Sequence, residues 1–456
     1  MTSPGTTTSR RNPFERVMRP VNTVVERYIP SALVFAIVLT FVVALLALLL
    51  TDAGPVDVLV GWGDGLAGLL AFITQMALIL LLGHMLANTR PVRRLLRVLG
   101  GLPRTPVQAY VFVFAVAAAA SLVQWGLGLV VGGLLAREVA AQAREKGLRL
   151  HFPMLVAAGF SGFVVWHMGY SGSGPLTAAT EGSFIAEQLG TTIPVAETTF
   201  ATWNVVAALV TVLAVGAALA LVSPRGDDVT ELAVDARVAD VALDDEVVTP
   251  ADRVDASRVP TLLLGLALLA YLVVYYARGG SPTLDIVNWS FLALILLLVR
   301  SPFEAVALTR EAAANVGDIL LQFPLYAGIL GMMTATGLIQ VISDFFVSVS
   351  TEQTFGLFAF LSAGLVNFFV PSGGGQFAVQ APIMLDAAAR LGVDPQVAIM
   401  AVSYGDQWTN MIQPFWALPL LAIAGLKMRD ILGYTTVTLL VSGVVFAATL
   451  LLVGPG

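Results

Sequence analysis

The sequence contains no cysteine and only three histidines. Without cysteine, the chain has no disulfide, no thiolate nucleophile and no Cys-ligated metal. The histidines His84, His151 and His167 do not have the spacing of metal ligands. These absences argue against a metal centre and against thiol catalysis, and we expect neither a cofactor nor a nucleic-acid partner.

Charged residues are also scarce, at 12% of the chain, whereas hydrophobic residues make up 57% and the mean hydropathy is +0.85. A soluble domain could not hide that much apolar side chain, so a lipid bilayer must be the solvent. Apolar runs of the length that crosses a bilayer recur from Ile29 to Leu452, one of them near residues 318–340. We therefore predict an all-α membrane protein with about 11 transmembrane helices plus two re-entrant hairpins.

Basic residues near span ends mark the cytoplasmic side of a membrane protein. Arginines crowd residues 1–28 and 90–104, whereas segments 51–61, 180–198 and 343–353 contain no Lys or Arg and should lie outside. Residues 223–258 hold ten carboxylates against four arginines. We interpret them as an acidic cytoplasmic connector and residues 1–28 as a cytoplasmic N-terminal segment, which places the C-terminus outside.

The two halves, residues 29–222 and 259–456, each contain a related stretch, repeat A at about 66–180 and repeat B at about 318–425. Segment 74–89 resembles 321–336 in length and in Gln and Gly placement. The gap after Leu86 is rich in arginine, whereas the gap after Gln340 has none. Matching segments with opposite charge bias are typical of an inverted-topology repeat.

Four polar or glycine-rich breaks interrupt the apolar segments, two in each half. The first, residues 124–128, separates arms 107–123 and 129–137, which are short enough to suggest a re-entrant hairpin; the second, residues 367–376, includes Pro371 and three successive glycines. The other pair is 166–175 and 404–414. Non-helical backbone at membrane depth survives only where it lines a cavity or is buried in protein.

Such breaks expose helix N-termini that bind carboxylates, while freed carbonyls and side-chain oxygens suit a small cation. We therefore predict one organic-anion site and at least one coupling-ion site at the breaks. The candidate substrate-binding residues are Gln124, Trp125, Gly126, His167, Ser171, Ser173, Asn367, Ser372, Gly373, Gly374, Gly375, Gln376, Thr409, Asn410 and Gln413. The candidate coupling-ion residues are Asp406, Thr409, Asn410 and Ser171.

Asp406 is the carboxylate that falls in the middle of a span, where a charge costs about 2.5–3.5 kcal/mol on insertion scales. It is either a Na⁺ ligand or protonatable coupling group, or a cap bonded to the N–H groups of its own break. His167 either contacts substrate or relays a proton, or is structural, and His84 is interpreted as structural. Four tryptophans near the breaks could line an apolar pocket or anchor at the interface: Trp125, Trp166, Trp408 and Trp416.

Two motifs carry a resemblance that extends from about Asn12 through Val453: residues 369–376 with Gln380-Ala381-Pro382, and residues 405–410 with Gln413-Pro414-Phe415-Trp416. The chain resembles the short-chain fatty acid transporter family, the permeases associated with acetoacetate and butyrate uptake. The resemblance implies membership in the wider ion-transporter superfamily, whose members have a scaffold domain and a transport domain and work by an elevator motion. It also implies a homodimer in the bacterial inner membrane. Ser-Asn-Thr clusters bind Na⁺ in some relatives, whereas this chain has Ser171-Gly172-Ser173 and Thr409-Asn410, which leaves Na⁺ and H⁺ both open.

The residues favour the same substrate class independently. A short monocarboxylate needs hydroxyl or N–H donors beside an apolar wall, and the predicted spans contain no mid-span Lys or Arg. A carrier of dicarboxylates, C4 acids or other organic anions stays open as the alternative. An intramembrane enzyme would have to use Ser171 with His167, which has no acidic orienter near it in the sequence, and an ion channel would need repeated filter elements.

Overall fold

The computed structural model describes residues 32–224, 229–232, 247–314, 316–367, 370 and 372–454. The predicted N-terminal segment 1–28 and Pro371 lie outside the described residues, as does most of the predicted connector. The regular structure found in the described ranges is helical, as predicted.

The first half folds into ten α-helices and one 3₁₀ segment. Their bounds are α1 Ala32–Leu50, α2 Pro55–Gly65, α3 Leu70–Asn88, α4 Arg90–Gly100, α5 Pro106–Val123, α6 Trp125–Glu145, α7 Phe152–Ser161, the 3₁₀ segment Gly162–Met168, α8 Ser173–Ala179, α9 Phe184–Leu189 and α10 Thr202–Val222.

A short helix in the described part of the connector precedes the helices of the second half. The bounds are α11 Pro250–Asp255, α12 Val259–Ala277, α13 Leu284–Leu298, α14 Pro302–Ala313, α15 Gly317–Thr336, α16 Leu338–Val349, α17 Glu352–Asn367, α18 Gly373–Leu391, α19 Pro395–Thr409, the 3₁₀ segment Asn410–Ile412, α20 Pro414–Ala424 and α21 Met428–Val453.

Within the described ranges, eight helical stretches are long and apolar enough to cross a membrane, and three shorter apolar helices accompany them. Helix α12 turns most of its surface outward, with Leu263 and Val273 about three-fifths exposed, whereas nearly all residues of the stretch Phe152–Ala179 are buried. Apolar side chains on the outside and a packed centre are what a lipid-embedded bundle requires. The predicted number of about 11 spans stays a prediction.

Two helices begin directly after an extended residue that caps them. Gln124 (φ −157°, ψ 124°) precedes α6, and its side-chain oxygen accepts a hydrogen bond from the N–H of Leu127. Ser372 (φ −153°, ψ 108°) precedes α18, and its Oγ accepts from the N–H of Gly375 at 3.3 Å. In both predicted hairpin breaks, the N–H of the third residue after the cap therefore donates to the side chain of the capping residue.

The structure corrects three boundaries. The arm after Gln124 is not short, because α6 continues for 21 residues, and it consequently carries Arg137 in its interior, where Nη1 donates to the Ile423 carbonyl at 2.6 Å. The predicted span 318–340 ends at Thr336, because Gly337 takes a left-handed conformation (φ 73°) that terminates α15.

The third correction concerns the break at 404–414. Helix α19 runs through Asp406 to Thr409, and the interruption consists of the 3₁₀ turn and the extended residue Gln413. Asp406 is therefore a helix-interior residue. Its carboxylate oxygens have no hydrogen-bond partner in the described part of the chain, so the interpretation of Asp406 as a cap of its own break is wrong.

The order of elements from α3 to α8 recurs from α15 to α20. Each series consists of an apolar helix, a shorter helix, a helix that ends at a break, a capped helix, a helix that ends in a 3₁₀ turn, and a final short helix. The series span residues 70–179 and 317–424, within or close to the stretches assigned above to repeats A and B. Their opposite orientation in the membrane stays a prediction.

Candidate functional site

A cavity of about 320 Å³ lies where the broken elements of both halves meet α3 and α15. Six of the predicted substrate-binding residues line it: Trp125, Gly126, Ser173, Ser372, Gly373 and Gly374. The volume is at the lower end of the range of about 300–1,000 Å³ that is usual for ligand pockets, which suits a small ligand. Residues from the two predicted hairpins therefore contribute to one site.

Aromatic rings form one wall of the cavity. The ring centroids of Trp125 and Trp416 are 5.6 Å apart, and those of Trp125 and Trp166 are 5.9 Å apart. Phe163 stacks on Trp166 from behind at 5.5 Å. Three of the four tryptophans considered above thus belong to a pocket wall, whereas Trp408 lies elsewhere and donates its indole N–H to the Leu439 carbonyl at 2.6 Å.

Backbone N–H groups at two helix starts provide the polar side of the cavity. At α6, the N–H of Trp125 donates to Ser171 Oγ at 3.0 Å and the N–H of Leu127 donates to Gln124, so the N–H of Gly126 is left without a partner in the described structure. At α18, the N–H groups of Gly373 and Gly374 are likewise unbonded within the described residues. These donors and the positive dipole ends of two helices converge on the same space.

Gly373 is a position where the approach is too close for a side chain. A Cβ there would stand 2.3 Å from Cη2 of Trp166 and 3.1 Å from Nε2 of His167. The backbone of α18 consequently touches the aromatic wall directly, and His167 lies immediately behind it. His167 is fully buried and is not itself part of the cavity lining.

Asn367 gathers the polar residues of the second half into a buried cluster. Its Nδ2 group lies within hydrogen-bond distance of the Asp406 carbonyl (2.6 Å), Thr409 Oγ1 (2.9 Å) and Asn410 Oδ1 (2.7 Å). Gln413 Nε2 donates to the Asn367 carbonyl at 2.6 Å. The stretches 367–376 and 405–413 are therefore in contact, as the sequence analysis predicted.

Several polar atoms around this cluster have no partner in the described structure although they are buried. The oxygens among them are Asn367 Oδ1, Gln376 Oε1, Gln413 Oε1 and both carboxylate oxygens of Asp406, and the amide nitrogens are Gln407 Nε2 and Asn410 Nδ2. An unsatisfied buried polar group costs about 1–3 kcal/mol, so such a concentration points to a bound species that satisfies them. Uncharged oxygens beside one carboxylate suit a proton or a small cation.

His167 and Asp406 form a pair inside this region. Nδ1 of His167 lies 3.0 Å from the Ser403 carbonyl and 3.4 Å from Asp406 Oδ2, and both side chains are buried. Because a carbonyl oxygen only accepts, Nδ1 carries a proton and donates it to Ser403. The neutral imidazole then has its lone pair on Nε2, the atom that faces Gly373 and has no partner among the described residues.

One predicted coupling-ion residue lies apart from the cluster. Ser171 Oγ accepts from the Trp125 N–H, so Ser171 lies against the start of α6. Gln376 donates to the Ala363 carbonyl at 2.8 Å and to Gln380 at 3.0 Å, which ties α18 to α17. His84, interpreted as structural, lines the cavity, with Nε2 3.8 Å from a carboxylate oxygen of Glu311.

The sequence analysis missed the wall that α3 and α15 contribute: Met76, Leu80, Ile319, Gln322 and Phe323. It also missed Tyr326, whose ring would lie 2.4 Å from a Cβ at Gly375 and whose hydroxyl is buried without a partner in the described structure. These residues belong to unbroken helices. Their apolar pattern is that of any packed span, so no local signal distinguishes them.

Comparison with known proteins agrees with this architecture. The family model described as "Short chain fatty acid transporter" matches residues 14–453. The chain belongs to the short-chain fatty acid transporter family. It is 40% identical over 441 residues to a protein of Escherichia coli (strain K12) whose name marks it as a candidate short-chain fatty acid transporter, covering 96% of this chain and 99% of that one. A protein of Haemophilus influenzae with the same name is 36% identical and covers 95% of this chain and 98% of its own length.

Two solved structures show the same fold at low identity. MtrF of Neisseria gonorrhoeae, described as an antimetabolite efflux pump, aligns with a TM-score of 0.60 at 17% identity and covers 95% of this chain and 97% of that one. The YdaH transporter of Alcanivorax borkumensis aligns with a TM-score of 0.54 at 16% identity, covering 91% and 97%. The family and the fold confirm an all-α, multi-pass membrane transporter, and the expectation of a non-enzymatic protein is confirmed with them.

Proposed function

We propose that this transporter takes up short-chain monocarboxylates such as acetoacetate or butyrate by cation-coupled secondary active transport. The observation that carries the proposal is the cavity at the two capped breaks, which combines unbonded backbone N–H groups with an aromatic wall. Its relatives' names point to the same class of substrate.

The carboxylate of such a substrate would bind the N–H groups of Gly126, Gly373 and Gly374. Two helix dipoles end there, and each stabilises a nearby anion by about 0.3–1 kcal/mol, more where the site is partly buried. The apolar tail would lie on the aromatic rings of Trp125 and Trp416. A single charge at one end and a hydrocarbon tail at the other match this arrangement.

A dicarboxylate or C4-acid carrier is the alternative within transporters. No Lys or Arg is among the described residues that line the cavity. Away from the two helix starts, the polar side chains of the described lining are few, His84 and Gln322 among them, and tryptophan and leucine predominate, so a second carboxylate would lack a cationic Lys or Arg partner and would be costly to bury. This asymmetry favours a monocarboxylate.

For the coupling ion, the His167–Asp406 pair favours a proton. A proton on Nε2 of His167 would place a positive charge directly behind Gly373, where the substrate carboxylate binds, so anion and proton would stabilise each other. Na⁺ is the second candidate, because Asn367, Gln376 and Gln413 present unsatisfied oxygens beside Asp406. The two ions predict different dependences of substrate binding: on pH for a proton, and on the Na⁺ concentration for Na⁺.

The cavity lies between α3 and α15 on one side and the broken elements α6, α18 and α20 on the other. We propose that the broken elements move as a transport domain against a scaffold that contains α3 and α15, in an elevator motion within a homodimer of the bacterial inner membrane. Trapping this boundary with a cross-link between introduced cysteines is simple, because the native chain has none.

Counterflow in proteoliposomes tests the substrate class. Vesicles loaded with unlabelled butyrate should accumulate labelled butyrate, and protein-free vesicles measure the passive entry of the neutral acid. Acetoacetate and acetate should compete, whereas succinate and citrate should not. Competition by succinate at concentrations equal to or below those of butyrate would overturn the monocarboxylate assignment, and the absence of counterflow with all of these acids would overturn the proposed function.

A further inference from the structure

Another cavity, of about 560 Å³, shares no lining residue with the substrate cavity. Four arginines line it, Arg90 and Arg94 from α4, Arg258 before α12, and Arg300 after α13. Its floor is apolar and includes Leu297 and Leu298. We name it the arginine groove.

The groove carries an excess of positive charge. Arg90 Nε lies 3.5 Å from the carboxylate of Glu304, and Arg258 Nη2 donates to the Leu297 carbonyl at 3.1 Å. The guanidinium groups of Arg94 and Arg300 have neither an ion pair nor a hydrogen bond within the described residues. Glu304 thus pairs with one of the four guanidinium groups, and those of Arg94 and Arg300 are available to a ligand; Arg94 also lines an adjacent cavity that contains Glu138 and Glu145.

The position of each arginine relative to the spans fixes the depth of the groove. Helix α3 ends two residues before Arg90, α12 begins one residue after Arg258, and α13 ends two residues before Arg300. The three spans therefore meet the groove at their ends on one side. Span ends lie at the level of lipid headgroups, and helix α4, with its row of arginines, has the composition of an interfacial helix.

Apolar side chains beside the arginines are exposed. Leu95 is 54% exposed and Val98 is 64% exposed, and both line the groove. A free phosphate would leave these side chains in water, and the same basic surface of a second copy would repel this one. A molecule with an anionic phosphate next to hydrocarbon chains satisfies both parts of the surface.

We propose that the arginine groove binds the phosphodiester headgroup of an anionic glycerophospholipid, with its acyl chains against Leu95 and Val98. Arg94 and Arg300 hold the phosphate by charge-assisted hydrogen bonds, for which the planar guanidinium group is well suited. Bound there, the lipid links α4 to the α12–α13 pair, elements that are joined on this side by few other polar contacts in the described structure. The proposal is independent of the transported substrate.

Lipid binding is tested on the purified full-length protein in uncharged detergent, by titrating phosphatidylglycerol, phosphatidylcholine or inorganic phosphate and measuring bound lipid by native mass spectrometry and thermal stability. Phosphatidylglycerol should bind and raise the melting temperature, and the other two should not. Each basic residue near an anionic surface contributes about 1 kcal/mol, or about fivefold, so Arg94→Gln with Arg300→Gln should weaken binding about 25-fold. The control is Arg104→Gln, an exposed arginine outside the groove.

Equal binding of phosphatidylcholine would overturn the proposal, because a zwitterionic headgroup does not need the arginines. A melting shift of the same size with inorganic phosphate would replace the lipid with a free anion. Loss of binding in Arg104→Gln to the same extent as in the double variant would show a diffuse surface effect and not a site. Retention of phosphatidylglycerol affinity in the double variant would also refute it.

Discussion

Replacing His167 with glutamine should remove the pH dependence of substrate binding. Nδ1 donates its hydrogen to the Ser403 carbonyl at 3.0 Å, so a further proton on this imidazole can only be added at Nε2. Nε2 lies 3.1 Å from the Cβ position of Gly373, directly behind the proposed carboxylate site. Glutamine is of similar length but cannot take up that proton.

The magnitude follows from linkage. If one proton enters with each anion, the proton is a co-ligand that is lost as the pH rises. The dissociation constant for butyrate should then increase by up to about tenfold per pH unit where His167 is neutral in the free protein and protonated in the complex, and the total increase equals the coupling factor. With a coupling of the usual size, about 1–3 kcal/mol, the His167→Gln variant should bind butyrate about 5- to 150-fold more weakly than the wild type at acidic pH. At alkaline pH the two proteins should converge.

Intrinsic fluorescence can measure this binding at equilibrium, because three of the seven tryptophans line the cavity. An equilibrium assay also avoids the passive permeation of neutral butyric acid. His151→Gln is the matched control, since it removes a histidine at the start of α7, 16 residues before His167. Its slope with pH should equal that of the wild type.

Three results would refute this reasoning. A wild-type affinity that is flat with pH but rises with Na⁺ would assign coupling to the oxygen cluster around Asn367. A normal slope in His167→Gln would place the proton elsewhere. Loss of the slope in His151→Gln would mean that the pH dependence does not report on the cavity.

Other substitutions probe the same site. Gly373→Ala would bring a Cβ to 2.3 Å from the Trp166 ring. Such overpacking costs about 1–3 kcal/mol and should reduce butyrate counterflow more than tenfold. The control is Gly63→Ala, which has open space around its Cβ and should leave counterflow unchanged. Asp406→Asn keeps the shape of the buried side chain and removes its charge, so gradient-driven accumulation should be lost while counterflow persists; full accumulation would exclude a coupling role. Trp416→Ala removes part of the tail wall, and the resulting rise in KM should be larger for butyrate than for acetate; an equal rise would mean that the ring does not contact the tail.

Much of the fold could be predicted from the sequence because hydropathy and glycine content are local properties. The breaks at Gln124 and at residues 367–376 were located correctly, since helix formers give way there to residues that cap or interrupt. The contact between Asn367 and Thr409 also followed from pairing two breaks of the second half. In each case the signal for the feature lies within a stretch of about ten residues.

The boundaries and the far wall could not be predicted in the same way. The extent of α6 depends on burial of its second arm against α7 and α20, which overrides the glycines at its start. Phe323 lines the cavity, and Tyr326 lies against Gly375, only because α15 packs against α18. Whether a span residue faces lipid or a cavity depends on its neighbours, and those come from the other half of the chain.

The distribution of unsatisfied polar atoms indicates how transport and stability are connected. The lipid-facing surfaces of α12 and α10 are almost wholly apolar, whereas the orphaned oxygens and amides converge on His167, Asp406 and the Asn367 cluster. At about 1–3 kcal/mol each, such atoms are tolerated only if another state or ligand satisfies them. Since the unfolded chain offers no comparable site, binding of substrate and its cation should stabilise the folded protein, and the stabilisation should require both species together. A requirement for both species is what a coupled transporter needs, because the half-loaded state must not cross the membrane.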